Sequence, residues 1–167
     1  MATERLLILI IHNVRSTHNV GSMLRTADGL GVSKVYLTGY TPYPQHKTDD
    51  RLPFLAESIN KRITKTSLGA EHYVDWEHCV DISKLLRELH KTKYEIVALE
   101  QSKRSIPVHD YKAPDRVALI VGREIGGIEL SILDSSDAII EIPMKGKKES
   151  FNVSVAAAIA LFAIRYQ

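Results

Sequence analysis

Three stretches of this 167-residue chain place amide, hydroxyl, guanidinium or carboxylate side chains beside glycine or proline. The first runs from Asn13 to Asp28, the second from Gly122 to Gly127 and the third from Ile142 to Ala158. Polar loops next to helices often carry binding and catalytic residues, because the helix holds the loop in place. Since all three stretches have this form, we expect them to build one site.

The first stretch has the residue types of a phosphate-binding helix start. Asn19, Gly21 and Ser22 open a predicted helix, and Arg25 follows one turn later. Backbone N–H groups at the positive end of a helix, together with a guanidinium, suit a phosphate. The same residues also fit an asparagine cap, a glycine needed for packing and a surface arginine, so both interpretations stay open.

The second stretch matches neither a Walker loop nor a G-x-G-x-x-G sequence. Its distinctive residue is Glu124, which orients a partner arginine or asparagine, binds a ligand amine or hydroxyl, or only caps the next helix. In the third stretch, Ser150, Asn152 and Ser154 lie at a predicted helix start, where such residues usually act as caps. Capping does not explain the preceding Ile142-Pro143-Met144. The residues alone therefore predict a ligand site without identifying the ligand, and they show no metal cluster or catalytic triad.

Strands and helices alternate along the part of the chain that must position these stretches. The run Leu6 to Ile11 is apolar without alternation and predicts a central strand of a parallel sheet. Further strands are predicted at 35–37, 72–74, 94–99, 117–121 and 138–142, with a turn at 66–69. Helices are predicted at 19–30, 52–60, 82–89 with Asp81 as cap, and 153–166.

This alternation predicts a single α/β domain over residues 1–167 with a mainly parallel sheet. In such sheets, ligands bind beyond the carboxyl ends of the strands. The three polar stretches follow the predicted strands 6–11, 117–121 and 138–142. Their positions in sequence thus agree with the expectation of one shared site.

Composition indicates a soluble globular protein, with 44% hydrophobic and 25% charged residues. Cys79 is the only cysteine, which excludes an internal disulfide and fits a cytoplasmic protein. No apolar run approaches the ~20 residues that span a membrane. The net charge of +2 permits a nucleic-acid partner, and we expect Lys145, Lys147 and Lys148 to contact substrate phosphates.

The three stretches resemble the three motifs of the SpoU/TrmH branch of the SPOUT superfamily, which are S-adenosylmethionine-dependent RNA 2′-O-ribose methyltransferases. The matching sequences are N-x-R-S-x-x-N-V-G-S-x-x-R-T-A-D from residue 13, V-G-x-E-x-x-G from residue 121, and I-P-M-x-G-x-x-x-S-x-N-V-S-V-A from residue 142. All three occur in the family's order, and together they span most of the chain.

The resemblance implies a deep trefoil knot at the C-terminal end, which physical rules alone would not predict. It implies a homodimer with the C-terminal helix in the interface. It also implies that S-adenosylmethionine is bound at the following residues: Leu99, Gly122, Ile142, Met144, Ser150, Phe151 and Asn152.

The resemblance gives Arg25 the central catalytic role. A guanidinium has a pKa above ~12 and is a poor base, so we expect Arg25 to grip a substrate phosphate and orient the ribose hydroxyl. The alternative, in which Arg25 is the general base, requires a strongly lowered pKa. Asn19 and Glu124 are expected to shape the pocket, and Ser150 and Asn152 to align donor and ribose.

Two residues depart from the family pattern: Arg123 replaces a small or polar residue, and Phe151 replaces a common leucine. We also expect no N-terminal RNA-binding extension, so that segment 41–65, the lysines around Gly146 and the second subunit read the RNA. The predicted function is 2′-O-methylation of tRNA or rRNA. A non-catalytic RNA-binding or assembly protein is the alternative, and methylation of a base nitrogen is disfavoured by the first motif.

Overall fold

The computed structural model describes residues 5–167 and contains one seven-stranded sheet in which every pair of neighbouring strands is parallel. The strand order is β3-β2-β1-β6-β4-β7-β5. The strands are β1 Leu6–His12, β2 Lys34–Thr38, β3 Trp76–Cys79, β4 Glu95–Leu99, β5 Ile106–Pro107, β6 Arg116–Val121 and β7 Ala138–Glu141. The predicted α/β class with a mainly parallel sheet is confirmed, and β1 is an interior strand as expected.

Helices cover both faces of the sheet. They are α1 Thr17–Gly29, α2 Pro53–Ser67, α3 Ile82–Lys91, α4 Leu130–Asp134 and α5 Val153–Arg165, with a 3-10 turn at Ala70–His72. Side chains of α1 and α5 join one core cluster, and those of α3 and α4 join the other. The result is a three-layer arrangement with the sheet in the middle.

β1 shows why its sequence is a continuous apolar run. Leu7, Leu9 and Ile11 point into the cluster under α1 and α5, whereas Ile8 and Ile10 point into the cluster under α3. Successive side chains of a strand alternate between faces, so a strand covered on both faces needs apolar residues at every position.

Helix α1 is held close to α2 at Gly21. A Cβ atom at this position would overlap with the Ile63 carbonyl oxygen and Thr66 Oγ1. The Thr66 hydroxyl also donates a hydrogen bond to the His18 carbonyl, at 2.9 Å. This close crossing fixes the start of α1, which carries part of the candidate site.

Several predicted boundaries were wrong for local reasons. Helix α1 begins two residues earlier than predicted, because Ser16 accepts the Asn19 N–H and acts as the cap in place of Asn19. Helix α2 continues to Ser67, so the predicted turn at 66–69 narrows to Leu68 and Gly69, both with positive φ. The predicted strand at 72–74 is wrong: Ala70–His72 is a 3-10 turn, and the edge strand is Trp76–Cys79.

The order of the central strands bears on the predicted knot. β4 lies between β6 and β7, two strands that come later in the chain. The trefoil knot itself stays a prediction.

Among residues 5–167, no helix has the length and apolar character needed to cross a membrane.

Candidate functional site

The first and second polar stretches meet at the carboxyl edge of the sheet, where Glu124 is their point of contact. Its carboxylate accepts hydrogen bonds from the backbone N–H groups of Arg15 and Ser16, at 3.4 and 3.3 Å. It also accepts one from Asn19 Nδ2, at 3.1 Å. A residue far along the chain therefore holds the turn that leads into α1, and of these contacts the one with Asn19 is of the kind predicted for Glu124.

The third stretch joins this contact through Asn152. Its side-chain Nδ2 donates to Asn19 Oδ1 at 3.1 Å, while its Oδ1 accepts the Ser154 N–H at 2.9 Å. Asn152 thus caps α5 and also bonds to α1. The expectation that the three stretches come together is confirmed, with Asn19 bonded to both of the others.

Glu124 is ionised at neutral pH. Burial opposes ionisation, but the hydrogen bonds from its own backbone N–H, from Asn19 and from the backbone of Arg15 and Ser16 outweigh this effect and lower the pKa of Glu124. Because a carboxylate can only accept hydrogen bonds, ionised Glu124 fixes which way the Asn19 amide points. The Oδ1 of Asn19 is then left to accept from Asn152.

A cavity of about 420 Å³ opens beside these contacts. Segments after β4, β6 and β7 enclose it, together with the start of α5. Its lining includes all seven residues that the family resemblance predicted around the methyl donor. The lining residues are Leu99, Glu100, Gln101, Val121, Gly122, Arg123, Glu124, Gly127, Glu141, Ile142, Met144, Ser150, Phe151, Asn152, Val153 and Ala156.

Two acidic residues of this lining were not singled out from the sequence. Glu100 follows β4, and its Oε2 accepts the Ile128 N–H at 3.0 Å. Glu141 ends β7 and accepts the Ser105 hydroxyl at 2.7 Å. Their positions could have identified them from the sequence, since each lies at the carboxyl end of a predicted strand, where ligands bind in such sheets.

Glycines allow the second stretch to fold tightly against the cavity wall. A Cβ atom on Gly122 would lie 2.5 Å from Ile128 Cγ1, and one on Gly127 would overlap with the Glu100 carboxylate. Gly127 also has a φ of +59°, where glycine is favoured. Arg123 donates to the Gly127 carbonyl at 3.3 Å, so this unusual residue of the motif helps to close the loop.

A buried histidine, His12, contacts the side chain of Asn13 at the start of the first stretch. His12 is 5% exposed, with Nδ1 2.8 Å from Thr38 Oγ1 and Nε2 2.9 Å from Asn13 Nδ2. Glu129 Oε2 lies 3.2 Å from the same Nε2. Burial lowers the pKa of His12 and outweighs the attraction of Glu129, so the imidazole is neutral at pH 7 and can accept from Asn13.

Arg25 is not among the residues that line the cavity. It is exposed on α1, and within residues 5–167 its guanidinium makes no hydrogen bond or ion pair. The structure therefore brings together four of the five predicted catalytic residues, and leaves Arg25 open to solvent. Lys147 and Lys148 line a shallow pocket with Ser150, next to the cavity.

Comparisons with known proteins give matches over nearly the whole chain. The chain is 34% identical over 157 residues to "23S rRNA (guanosine-2′-O-)-methyltransferase RlmB" from Xylella fastidiosa (strain 9a5c), which covers 93% of the chain and 57% of the relative. It is 31% identical over 165 residues to the protein of the same name from Neisseria meningitidis serogroup B, covering 99% and 60%. The chain thus spans little more than half the length of these curated relatives.

Solved structures share the fold. A TrmH/SpoU tRNA modifying enzyme from A. aeolicus matches with a TM-score of 0.78 and 27% identity, over 98% of this chain and 76% of that one. An AdoMet-bound rRNA methyltransferase from Sinorhizobium meliloti matches with a TM-score of 0.82 and 23% identity, over 97% and 56%. The sequence model of the SpoU rRNA Methylase family matches residues 6–162. This match extends from β1 into α5 and contains all three motifs, so the chain belongs to the SpoU rRNA methylase family.

Proposed function

We propose that this protein transfers a methyl group from S-adenosylmethionine to a ribose 2′-hydroxyl of rRNA or tRNA. The observation that carries this proposal is the hydrogen-bonded set Glu124, Asn19 and Asn152, in which Glu124 and Asn152 line the cavity and Asn19 bonds to both. These residues come from the three family motifs, and the names of the relatives describe RNA 2′-O-methylation. A protein that only binds RNA would not need this set.

The cavity suits S-adenosylmethionine in size and chemistry. Its volume of about 420 Å³ lies within the range of small-molecule sites, roughly 300–1,000 Å³. Leu99, Ile142 and Met144 offer apolar surface for an adenine ring, and Glu100 and Glu141 offer carboxylates for hydroxyl or ammonium groups. We assign the donor to this cavity, with Gly122, Ser150, Phe151 and Asn152 in its wall.

The donor, when bound, would supply a methyl group on a sulfonium: in-line attack by the hydroxyl oxygen forms the O–CH₃ bond, breaks the S–CH₃ bond, releases S-adenosylhomocysteine and frees the hydroxyl proton, which ends in solvent. The protein must then align the ribose and accept or relay the hydroxyl proton. Asn19 and Asn152 hold each other's amides in a fixed orientation, and Glu124 fixes Asn19 in turn. Arg25 is solvent-exposed and charged, which fits a clamp on a substrate phosphate better than a general base.

A homodimer is part of the proposal. Val155, Ile159 and Phe162 of α5, and Tyr166 directly after it, are 36–67% exposed and follow one another at spacings of four, three and four residues, which places them along one side of the helix. Such an apolar stripe is typical of a helix that packs against a partner.

We also propose that the protein acts in the cytoplasm, where rRNA and tRNA are available.

The proposal is tested by incubating the purified protein with tritium-labelled S-adenosylmethionine and total small and ribosomal RNA. We expect label in a dinucleotide that resists alkaline hydrolysis, because a 2′-O-methylated ribose cannot form the cyclic intermediate. Label in an alkali-sensitive nucleotide would instead assign base methylation.

Asn152→Ala serves as the site variant in the same assay, and Ser83→Ala, an exposed position on α3, is its matched control. We expect lower donor affinity or lower turnover only for Asn152→Ala. No transfer to any RNA, together with no donor binding by calorimetry, would favour a non-catalytic protein that retains the fold.

A further inference from the structure

Tyr40 is an exposed aromatic residue beside the candidate site. It follows β2 at the carboxyl edge of the sheet, and 49% of its surface is accessible. Its side chain takes no part in the cavity wall or in the hydrogen bonds around Glu124. The three motifs give it no role either.

The turn that carries Tyr40 is firmly anchored. Its backbone N–H donates to Asn13 Oδ1 at 3.1 Å. The next residue, Thr41, is 1% exposed, and its hydroxyl oxygen lies 2.8 Å from the Thr38 carbonyl oxygen and accepts the Val14 N–H at 3.2 Å. An exposed ring on so well-fixed a backbone is pre-organised, which reduces the entropy lost when a ligand binds to it.

Arg15 links this ring to the cavity. Its guanidinium carbon lies 5.5 Å from the centroid of the Tyr40 ring. Within residues 5–167, that guanidinium makes no hydrogen bond or ion pair, so it can still pair with an anion. The backbone N–H of the same residue donates to the Glu124 carboxylate in the cavity wall. The ring and the cation therefore border the place where we assign the reaction.

We propose that Tyr40 and Arg15 form a platform on which an unpaired base of the RNA substrate stacks. The base lies against the tyrosine ring, and the arginine pairs with a neighbouring phosphate. Stacking on an aromatic ring is the common way in which proteins hold unpaired bases, and arginine adds both stacking and charge. This inference rests on the proposed RNA substrate, and it assigns the contact that brings a nucleotide to the cavity.

The test compares Tyr40→Ala, Tyr40→Phe and Tyr73→Ala in binding to a short fluorescent RNA without secondary structure, measured by anisotropy. Tyr73 is the matched control, because it is exposed and precedes β3 at the opposite edge of the sheet. We expect Tyr40→Ala to weaken RNA binding roughly 5- to 150-fold, the range for loss of one base stack. Tyr40→Phe keeps the ring and should bind like the unmodified protein, as should Tyr73→Ala.

Arg15→Gln gives a second measurement. Because one phosphate contact is lost, the slope of log affinity against log salt concentration should fall by about 0.7 for an unpaired RNA. Unchanged slope in this variant, or equal RNA affinity of Tyr40→Ala and Tyr73→Ala, would overturn the platform. So would a Tyr40→Phe variant as weak as Tyr40→Ala.

These outcomes are separate from those of the methyl-transfer assay. Tyr40-dependent RNA binding in a protein that transfers no methyl group would leave the platform standing and overturn the proposed reaction. Methyl transfer that is equally efficient in Tyr40→Ala and Tyr73→Ala at limiting RNA would support the proposed reaction and overturn the platform. Calorimetry with S-adenosylmethionine alone checks that the Tyr40 variants keep an intact donor cavity.

Discussion

At the scale of single residues, Arg25 is the side chain whose predicted role depends most on a substrate. It lies on α1 six residues after Asn19, and it is exposed and unpaired among residues 5–167. If it clamps a phosphate, it contributes nothing to the donor cavity. Its effect should then appear in turnover and RNA affinity alone.

We therefore expect Arg25→Ala to keep its affinity for S-adenosylmethionine and to lose methyl transfer by roughly 100-fold, a typical cost of removing one charge-stabilising group. Arg25→Lys should retain part of the activity, because a lysine keeps the charge but not the two-pronged geometry. Arg87→Ala, an exposed arginine of α3, is the control. Near-normal transfer by Arg25→Ala would remove Arg25 from the proposed mechanism.

His12 predicts how stability depends on pH. Burial lowers the pKa of His12, so the unfolded chain binds a proton more readily than the folded protein. Stability gained from the neutral imidazole is present above the ordinary histidine pKa of about 6.5 and is lost as pH falls towards the folded pKa. Urea unfolding at pH 7.5 and 5.5 should show a smaller pH effect for His12→Gln than for the unmodified protein. An equal pH effect in both would contradict this.

The sequence revealed the polar side chains of the site better than it revealed how they are arranged. Asn19, Glu124 and Asn152 were predicted from residue type and position, and their mutual hydrogen bonds follow from the meeting of strand ends. Glu100 was missed because an acidic residue after a strand has many possible roles. The exposure of Arg25, and its absence from the cavity lining, depend on helix rotation, which spacing alone does not determine.

At the scale of elements, the contact between α1 and α2 sets the position of the first motif. Gly21 allows the two helices to approach, whereas Gly29, at the end of α1, has open space where its Cβ would be. The two glycines of one helix thus differ in their surroundings. This difference gives a matched pair of variants.

We expect Gly21→Ala to destabilise the protein by about 1–3 kcal/mol, the usual cost of overpacking a tight contact. Gly29→Ala should be neutral or slightly stabilising, because alanine favours helix. Thermal unfolding of both variants measures the difference. Donor binding by Gly21→Ala should weaken as well if movement of α1 disturbs the bond between Asn19 and Asn152. Equal melting temperatures would show that α2 can move aside without cost.

Long, uniform elements were predicted well and short ones poorly. β1 and α3 carry clear patterns, an apolar run and a spaced set of leucines capped by Asp81. The two-residue strand β5 and the five-residue helix α4 were not predicted, because elements this short contain too few residues to show a periodic pattern of apolar side chains. The strand predicted at 72–74 begins four residues too early. The actual edge strand β3, Trp76–Cys79, has mixed exposure and no strong alternation, so its sequence gives little signal.

At the scale of the whole molecule, the apolar side of α5 predicts a second copy of the chain. Phe162 and Tyr166 are exposed, and their ring centroids are 4.8 Å apart. Phe162→Glu should shift the protein from dimer to monomer in sedimentation or light scattering, because it places a charge in the apolar interface. Leu130→Glu, at a residue 75% exposed on α4, is the control and should leave the dimer intact. A monomeric unmodified protein would refute the proposed dimer.

The place of β4 between β6 and β7 has a consequence for synthesis of the protein. The strands on both sides of β4, β6 and β7, leave the ribosome after it, and so do the strands on both sides of β1, β2 and β6. Unpaired strand edges are prone to aggregation, and such distant pairings fold slowly. The cavity also needs residues as late as Ala156. Growing chains therefore carry exposed strand edges until β6 and β7 have emerged, and a ligand that fills the cavity can bind only once α5 has emerged.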